Sequence, residues 1–137
     1  MTSELPIASD AAPPSTGTCT QAIRSGDLVF VTGQTVCDPV SGNLAEGLEA
    51  QARLTMVNID SILGEARCTK ADIVDVKFIL ADIKLFKLAD KIYAEWLPPR
   101  DDGPLPTCTA FVAGALPGGA LLELAVTAAL PGDAGED

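Results

Sequence analysis

Two different hydrophobic periods follow one another in the middle of this 137-residue chain, and they narrow its fold more than any other feature. Over residues 47–68, Leu48, Ala52, Met56, Ile59, Leu63 and Ala66 recur at three- and four-residue spacing, the stripe of a helix with one side on a core. Over 72–80 the pattern switches to alternation. Val74, Val76, Phe78 and Leu80 share one face, and Asp75 and Lys77 lie on the other. A second helical stripe, Leu85, Leu88, Ala89, Ile92 and Trp96, spans 84–97 and is stopped by Pro98-Pro99. Strands are predicted on both sides of this unit. The run 27–32 ends at Gly33 and has 19–24 as its partner across a Ser25-Gly26 turn. The runs 107–113 and 120–129 follow the second helix, joined through Leu116-Pro117-Gly118-Gly119. Pro39 and Gly42 make 38–43 a loop, and another passes through Asp101-Asp102-Gly103-Pro104. The order β-β-α-β-α-β-β implies an α+β layered domain, with two helices on one face of a mixed sheet.

One domain is expected over 13–130, long enough to bury a real core. Residues 1–12, within a stretch rich in Ala, Pro, Ser and Thr, read as a loose arm, and 131–137 as a frayed acidic tail. A hydrophobic content of 47% excludes a disordered chain, while no apolar run is long enough to span a bilayer. No basic residue precedes the mildly apolar N-terminal positions, so a signal peptide is not expected. Four cysteines, at 19, 37, 68 and 108, form no CxxC pair and read as free thiols in a reducing cytoplasm. Nine Lys and Arg against 19 Asp and Glu give a net charge of −10, which argues against a nucleic-acid partner. The basic residues are scattered, and none follows Arg100. The chain has no histidine, which removes Ser-His-Asp and Cys-His catalysis and the commonest metal ligand. No metal, cofactor or membrane partner is expected. Any acid or base must be a carboxyl group, Tyr93, a lysine, a thiol or water.

The last strand carries the most pointed local signal. Leu122, Leu124 and Val126 face the helices, and Leu121, Glu123 and Ala125 face away. That second face is still largely apolar and asks for another subunit. Glu123 reads either as an exposed strand charge or as a working carboxyl. An isolated carboxylate on such a face is costly without a purpose, and burial would raise its pKa into a range useful for proton transfer.

A series of short blocks spans the chain: Gly17-Thr18-Cys19-Thr20-Gln21-Ala22, Phe30-Val31-Thr32-Gly33-Gln34, Asp38-Pro39 with Gly42, a stretch running from Gln51 to Asn58, Ile92-Tyr93-Ala94-Glu95, Pro106-Thr107-Cys108-Thr109 with Leu116-Pro117, and Leu122-Glu123-Leu124. No block is specific alone. Their order and spacing, over about residues 13–129, resemble the Rid (YjgF) family of small imine and enamine deaminases. The resemblance implies a chorismate-mutase-like homotrimer with sheets packed into a central barrel and a small-molecule pocket between subunits. It implies that Glu123 orients or activates the attacking water, that the Gly33 backbone N–H meets the substrate carboxylate, and that Thr32 holds a hydroxyl position often filled by serine. Two pocket positions depart from the family pattern. Cys19 stands where a tyrosine is usual, and Cys108 where an arginine grips the substrate carboxylate.

A thiol offers neither the charge nor the planar fork of a guanidinium. Cys108 reads as a small pocket-lining side chain or as a nucleophile, for which Glu123 is the only base the resemblance places nearby. With Cys19 it could form a redox pair or a soft-metal site, although two ligands are too few for zinc. Arg100 reads as a solvated helix-end charge. Gln21, Gln51, Asn58 and Tyr93 read as structural, and Cys37 and Cys68 receive no role. The expected activity is a Rid-like hydrolase of a small imine, enamine or related activated carbonyl compound, with its preference moved away from anionic 2-imino acids. The alternatives are a non-catalytic ligand-binding trimer and a specialised pathway enzyme using Cys108 as nucleophile. The charge balance gives no support to the ribonuclease activity that older family names mention.

Overall fold

A two-residue turn at Gly26-Asp27 starts the sheet. Gly26 has φ 61°, a left-handed conformation that suits a tight hairpin, and Ser25 pairs with Leu28 across it. The computed structural model describes residues 4–14, 19–34, 43–98 and 103–132. The hairpin strands are β2 (Ala22–Ser25) and β3 (Leu28–Gln34), so the turn falls one residue later than expected and Cys19 lies ahead of the strand. Ahead of them, Glu4–Ile7 forms β1, antiparallel to β2. The reading of 1–12 as a loose arm is therefore corrected over Glu4–Ile7; residues 1–3 lie outside the described residues. Leu5 and Pro6 gain order from pairing with Arg24 and Ile23, which local composition does not reveal.

Both predicted helices are present, as α1 (Leu48–Glu65) and α2 (Phe86–Trp96). They are joined through β4 (Ile73–Leu80), and β5 (Thr107–Val112) and β6 (Leu122–Ala129) complete the chain. The sheet order is β1-β2-β3-β6-β4-β5, and β4 with β5 is its parallel pair. The α+β reading holds, with two helices over one face of a six-stranded mixed sheet.

The core lies between that face and the helices. Val29, Val31, Val76, Phe78, Leu80, Leu122, Leu124 and Val126 meet Met56, Ile59, Leu63 and Ile92 there, all buried. Two expectations change. Val74 is exposed because the β4–β6 register shifts between Ile73 and Asp75; Ile73 takes the core position instead. Leu88 points outward, and Tyr93 fills the inward stripe of α2 alongside Ala89 and Ile92. The Trp96 indole N–H ties the helices together by donating to Asp60 at 2.9 Å.

Buried amides satisfy loop backbone, as expected for two glutamines. The Gln21 carbonyl accepts from Ser9 N–H at 2.6 Å and its amide donates to Pro13 O at 2.7 Å. Gln51 donates to Ala45 O at 2.9 Å and accepts from Leu121 N–H at 2.8 Å. Asn58 does not fit this pattern: it is fully buried, and its amide has no hydrogen-bond partner among the described residues. The loop at 38–43, Cys37, Arg100 and residues 133–137 of the tail lie outside the described residues, except that Asn43 is described.

Candidate active site

A bulge in β3 shapes the sheet face away from the helices. Val31 pairs with Val126 and Gln34 with Leu124, so β3 spends one more residue than β6 over the same length. Thr32 and Gly33 both fall opposite Ala125. The bulge is held by Thr32 N–H donating to Gln21 O at 2.9 Å and by the buried Gln34 amide donating to Thr32 O at 3.0 Å.

Gly33 thereby comes up against Glu123. A Cβ on residue 33 would lie 2.6 Å from Glu123 Cδ and 2.8 Å from its Cγ, with Oε2 closer still. The carboxyl occupies the space a side chain would need. Glu123 pairs across strands with Ile79 and has no hydrogen bond or ion pair among the described residues. Burial pushes its pKa above the usual carboxyl range. Such a group can both take a proton from water and return it. The surrounding face is rich in apolar and small groups, including Phe30 and Phe111, 43% and 46% exposed.

Cys108 lies elsewhere. It pairs with Val76, whose side chain is in the core, so its own side chain shares the helix-side face. Because β5 is the edge strand, Cys108 stands at the margin of α2 and is exposed. Here it lines a cleft of about 520 Å³ with Asp90, Tyr93, Ala94, Leu97 and Leu105. Burial pushes the thiol up; the neighbouring Tyr93 hydroxyl acts in the opposite direction, and repulsion from Asp90 and Asp75 raises it further. The Tyr93 ring is fixed edge-on to Phe78, centroids 5.1 Å apart at 85°.

Within one chain, then, the predicted residues form two half-sites. Gly33, Thr32 and Glu123 share the open face, and Cys108 occupies the helix side. The expectation that Glu123 stands beside Cys108 as its base is not met in a single chain. Cys19 is exposed in the loop entering β2, and Cys68 is buried. Among the described residues, no three His, Cys, Asp or Glu side chains are grouped to hold a metal ion, and no helix there is long and apolar enough to cross a membrane.

Asp90 was missed at the sequence level, and Tyr93 was read only as core. The signal was present: Asp90, Tyr93, Ala94 and Leu97 follow i, i+3, i+4, i+7 spacing, a second stripe beside the buried one.

Comparison with known proteins identifies the family. The family model described as endoribonuclease L-PSP matches residues 9–130. A RutC family protein of Leuconostoc mesenteroides subsp. cremoris is 33% identical, covering 89% of this chain and 95% of that one. The 2-iminobutanoate/2-iminopropanoate deaminase of Rattus norvegicus is 32% identical over 86% of this chain and 84% of its own. Among solved structures, the Rid-family protein YyfA of Yersinia pestis superposes with a TM-score of 0.87 at 30% identity, covering 93% of this chain and 100% of that one. RidA of the Antarctic bacterium Psychrobacter sp. PAMC 21119 gives 0.85 at 30% identity, covering 92% and 99%. With a bulge-borne glycine, a facing carboxyl and a matching fold along nearly its full length, the chain belongs to the endoribonuclease L-PSP family, the Rid (YjgF) proteins.

Proposed function

We propose that this chain is a Rid-like hydrolase that converts a small imine or enamine to a carbonyl compound and ammonia, in clefts between the copies of a homotrimer. The observation that carries this reading is Glu123: a partly buried carboxyl without a partner among the described residues, on a sheet face that is otherwise mostly apolar and small, with Gly33 leaving room for it. Covering that face with a second copy would remove Phe30 and Phe111 from water and raise the Glu123 pKa further. It would also let Glu123 of one copy meet the Cys108 cleft of the next.

The chemistry balances without a cofactor. Water adds to the carbon of the protonated C=N (an iminium), forming a C–O bond while the Glu123 carboxylate takes one of its protons. Glu123 then gives that proton to nitrogen, the C–N bond breaks, ammonia leaves, and the hydroxyl proton is lost as the carbonyl forms. An enamine enters the same sequence after protonation at carbon. Cys108 lines the pocket as a neutral thiol and does not attack, because burial and two aspartates disfavour its thiolate. It cannot replace a guanidinium, so a substrate carboxylate loses about 2–4 kcal/mol of binding, the worth of a charge-assisted pair. Neutral or less anionic imines are the preferred class. The free Cys68 and Cys108 thiols suit a reducing cytoplasm.

The test is semicarbazide trapping with two imine sources. An amine oxidase supplies neutral imines, and an amino-acid oxidase supplies 2-iminopropanoate. The protein should clear neutral imines and act weakly on the anionic one, and light scattering should give three times the 14.1 kDa chain mass. Clearance of neither imine by an assembled protein would leave a ligand-binding trimer instead.

A further inference from the structure

We infer that the Cys108 cleft is selective for a small organic cation, so that the preferred substrate carries a protonated amine or iminium where relatives' substrates carry a carboxylate. The turnover part of this statement rests on the hydrolase reading; the binding part does not.

The cleft measures about 520 Å³, the size of a small-molecule site. Its walls are mainly apolar, formed by Ala94, Leu97, Pro98, Leu105 and Pro106, and among the described residues no lysine or arginine lines it. Two carboxylates do, and they are not equivalent. Glu95 is engaged by Arg53 at 2.9 Å. Asp90 has no hydrogen bond or ion pair among the described residues, yet it lies close enough to Cys108 to act on the thiol. Asp75 acts on the same thiol from β4, tied to Lys77 at 2.8 Å and to Thr107 at 2.6 Å. Tyr93 lines the cleft beside Cys108. Among the described residues, the free electrostatic feature of the cleft is thus one negative charge in a mainly apolar lining. An anion entering here is repelled by Asp90 and meets no cation among those residues. An alkyl- or arylammonium places its charge near Asp90 and its apolar part against Leu97 and Leu105. The chain's net charge of −10 adds a field that gathers cations.

Calorimetry with benzylammonium and the similarly shaped anion benzoate tests this on the intact protein. Benzylammonium should bind at least about tenfold more tightly, a difference of about 1.4 kcal/mol. Asp90→Asn should erase the preference, and Asp27→Asn, an equal charge change outside the cleft, should keep it. Equal or tighter binding of benzoate, binding of neither probe, or equal loss in the Asp27 and Asp90 variants would overturn the inference. A protein that prefers benzylammonium but hydrolyses no imine keeps the cation cleft and loses the hydrolase reading. One that clears 2-iminopropanoate rapidly and ignores benzylammonium does the reverse.

Discussion

Gly33 and Glu123 compete for one volume: a methyl on residue 33 would sit 2.6 Å from the Glu123 carboxyl carbon. The glycine is required by its neighbour across the strands, since its backbone is not in the left-handed region. Gly33→Ala should therefore fold normally, with a thermal midpoint equal to or slightly above that of the wild type. Turnover should fall by about 10²-fold, the cost of a roughly 1 Å misplacement of a reacting group. Steady-state kinetics beside a melting curve separates the two effects. Full activity in a well-folded Gly33→Ala would show that the observed carboxyl position is not used.

Burial raises the Glu123 pKa in the folded chain above its unfolded value. The folded state then holds a proton that the unfolded state releases first. Its stabilising contribution is complete below the unfolded pKa and is lost as pH rises through the folded one. Glu123→Gln should match the wild type near about pH 4 and exceed it in urea midpoint near about pH 7. A glutamine variant less stable at neutral pH would mean that the carboxylate has a favourable partner in the assembled protein.

Cys108 should behave as a reluctant nucleophile. Its iodoacetamide labelling should keep rising with pH to at least about pH 8.5, without an early plateau. Asp90→Asn should speed labelling by removing repulsion, and Tyr93→Phe should slow it by removing the hydroxyl that favours the thiolate. Buried Cys68 should react more slowly still. Cys108→Ser should retain most activity. A labelling plateau below neutral pH together with an inactive serine variant would restore covalent catalysis.

Assembly should depend on the open face of the sheet. Ala125 lies opposite Lys77 across strands, so Ala125→Lys sets a second ammonium beside the first. Burying that unpaired charge in the proposed trimer costs several kcal/mol, on the order of 3–5. Light scattering of the variant at micromolar concentration should show smaller species than the wild type.

The elements were legible where their signals are local. The stripe from Leu48 to Ala66 and the alternation through Val76, Phe78 and Leu80 depend only on helical and strand periods. What escaped was non-local. Leu5 and Pro6 become strand only by pairing with β2, and Val74 is turned outward by a register shift that alternation cannot announce. The site divides in the same way. Glu123 stood out as a carboxyl on an apolar face, and Gly33 came from the family resemblance, but their contact depends on a bulge between distant strands. The separation of Cys108 from Glu123 is a matter of parity, set by Val76 pairing with Cys108 and Ile79 with Glu123. A shift of one residue would have put both side chains on the same face.

The most direct measurement is the rate of ammonia release from an amine-oxidase-derived imine, wild type against Glu123→Gln, with the oligomer mass followed in parallel. The glutamine keeps shape and hydrogen-bonding capacity but cannot carry a proton between water and nitrogen. It should assemble as the wild type does and turn over on the order of 10²–10⁴-fold more slowly. A correctly assembled Glu123→Gln releasing ammonia at the wild-type rate would contradict the assignment of Glu123 as the proton carrier.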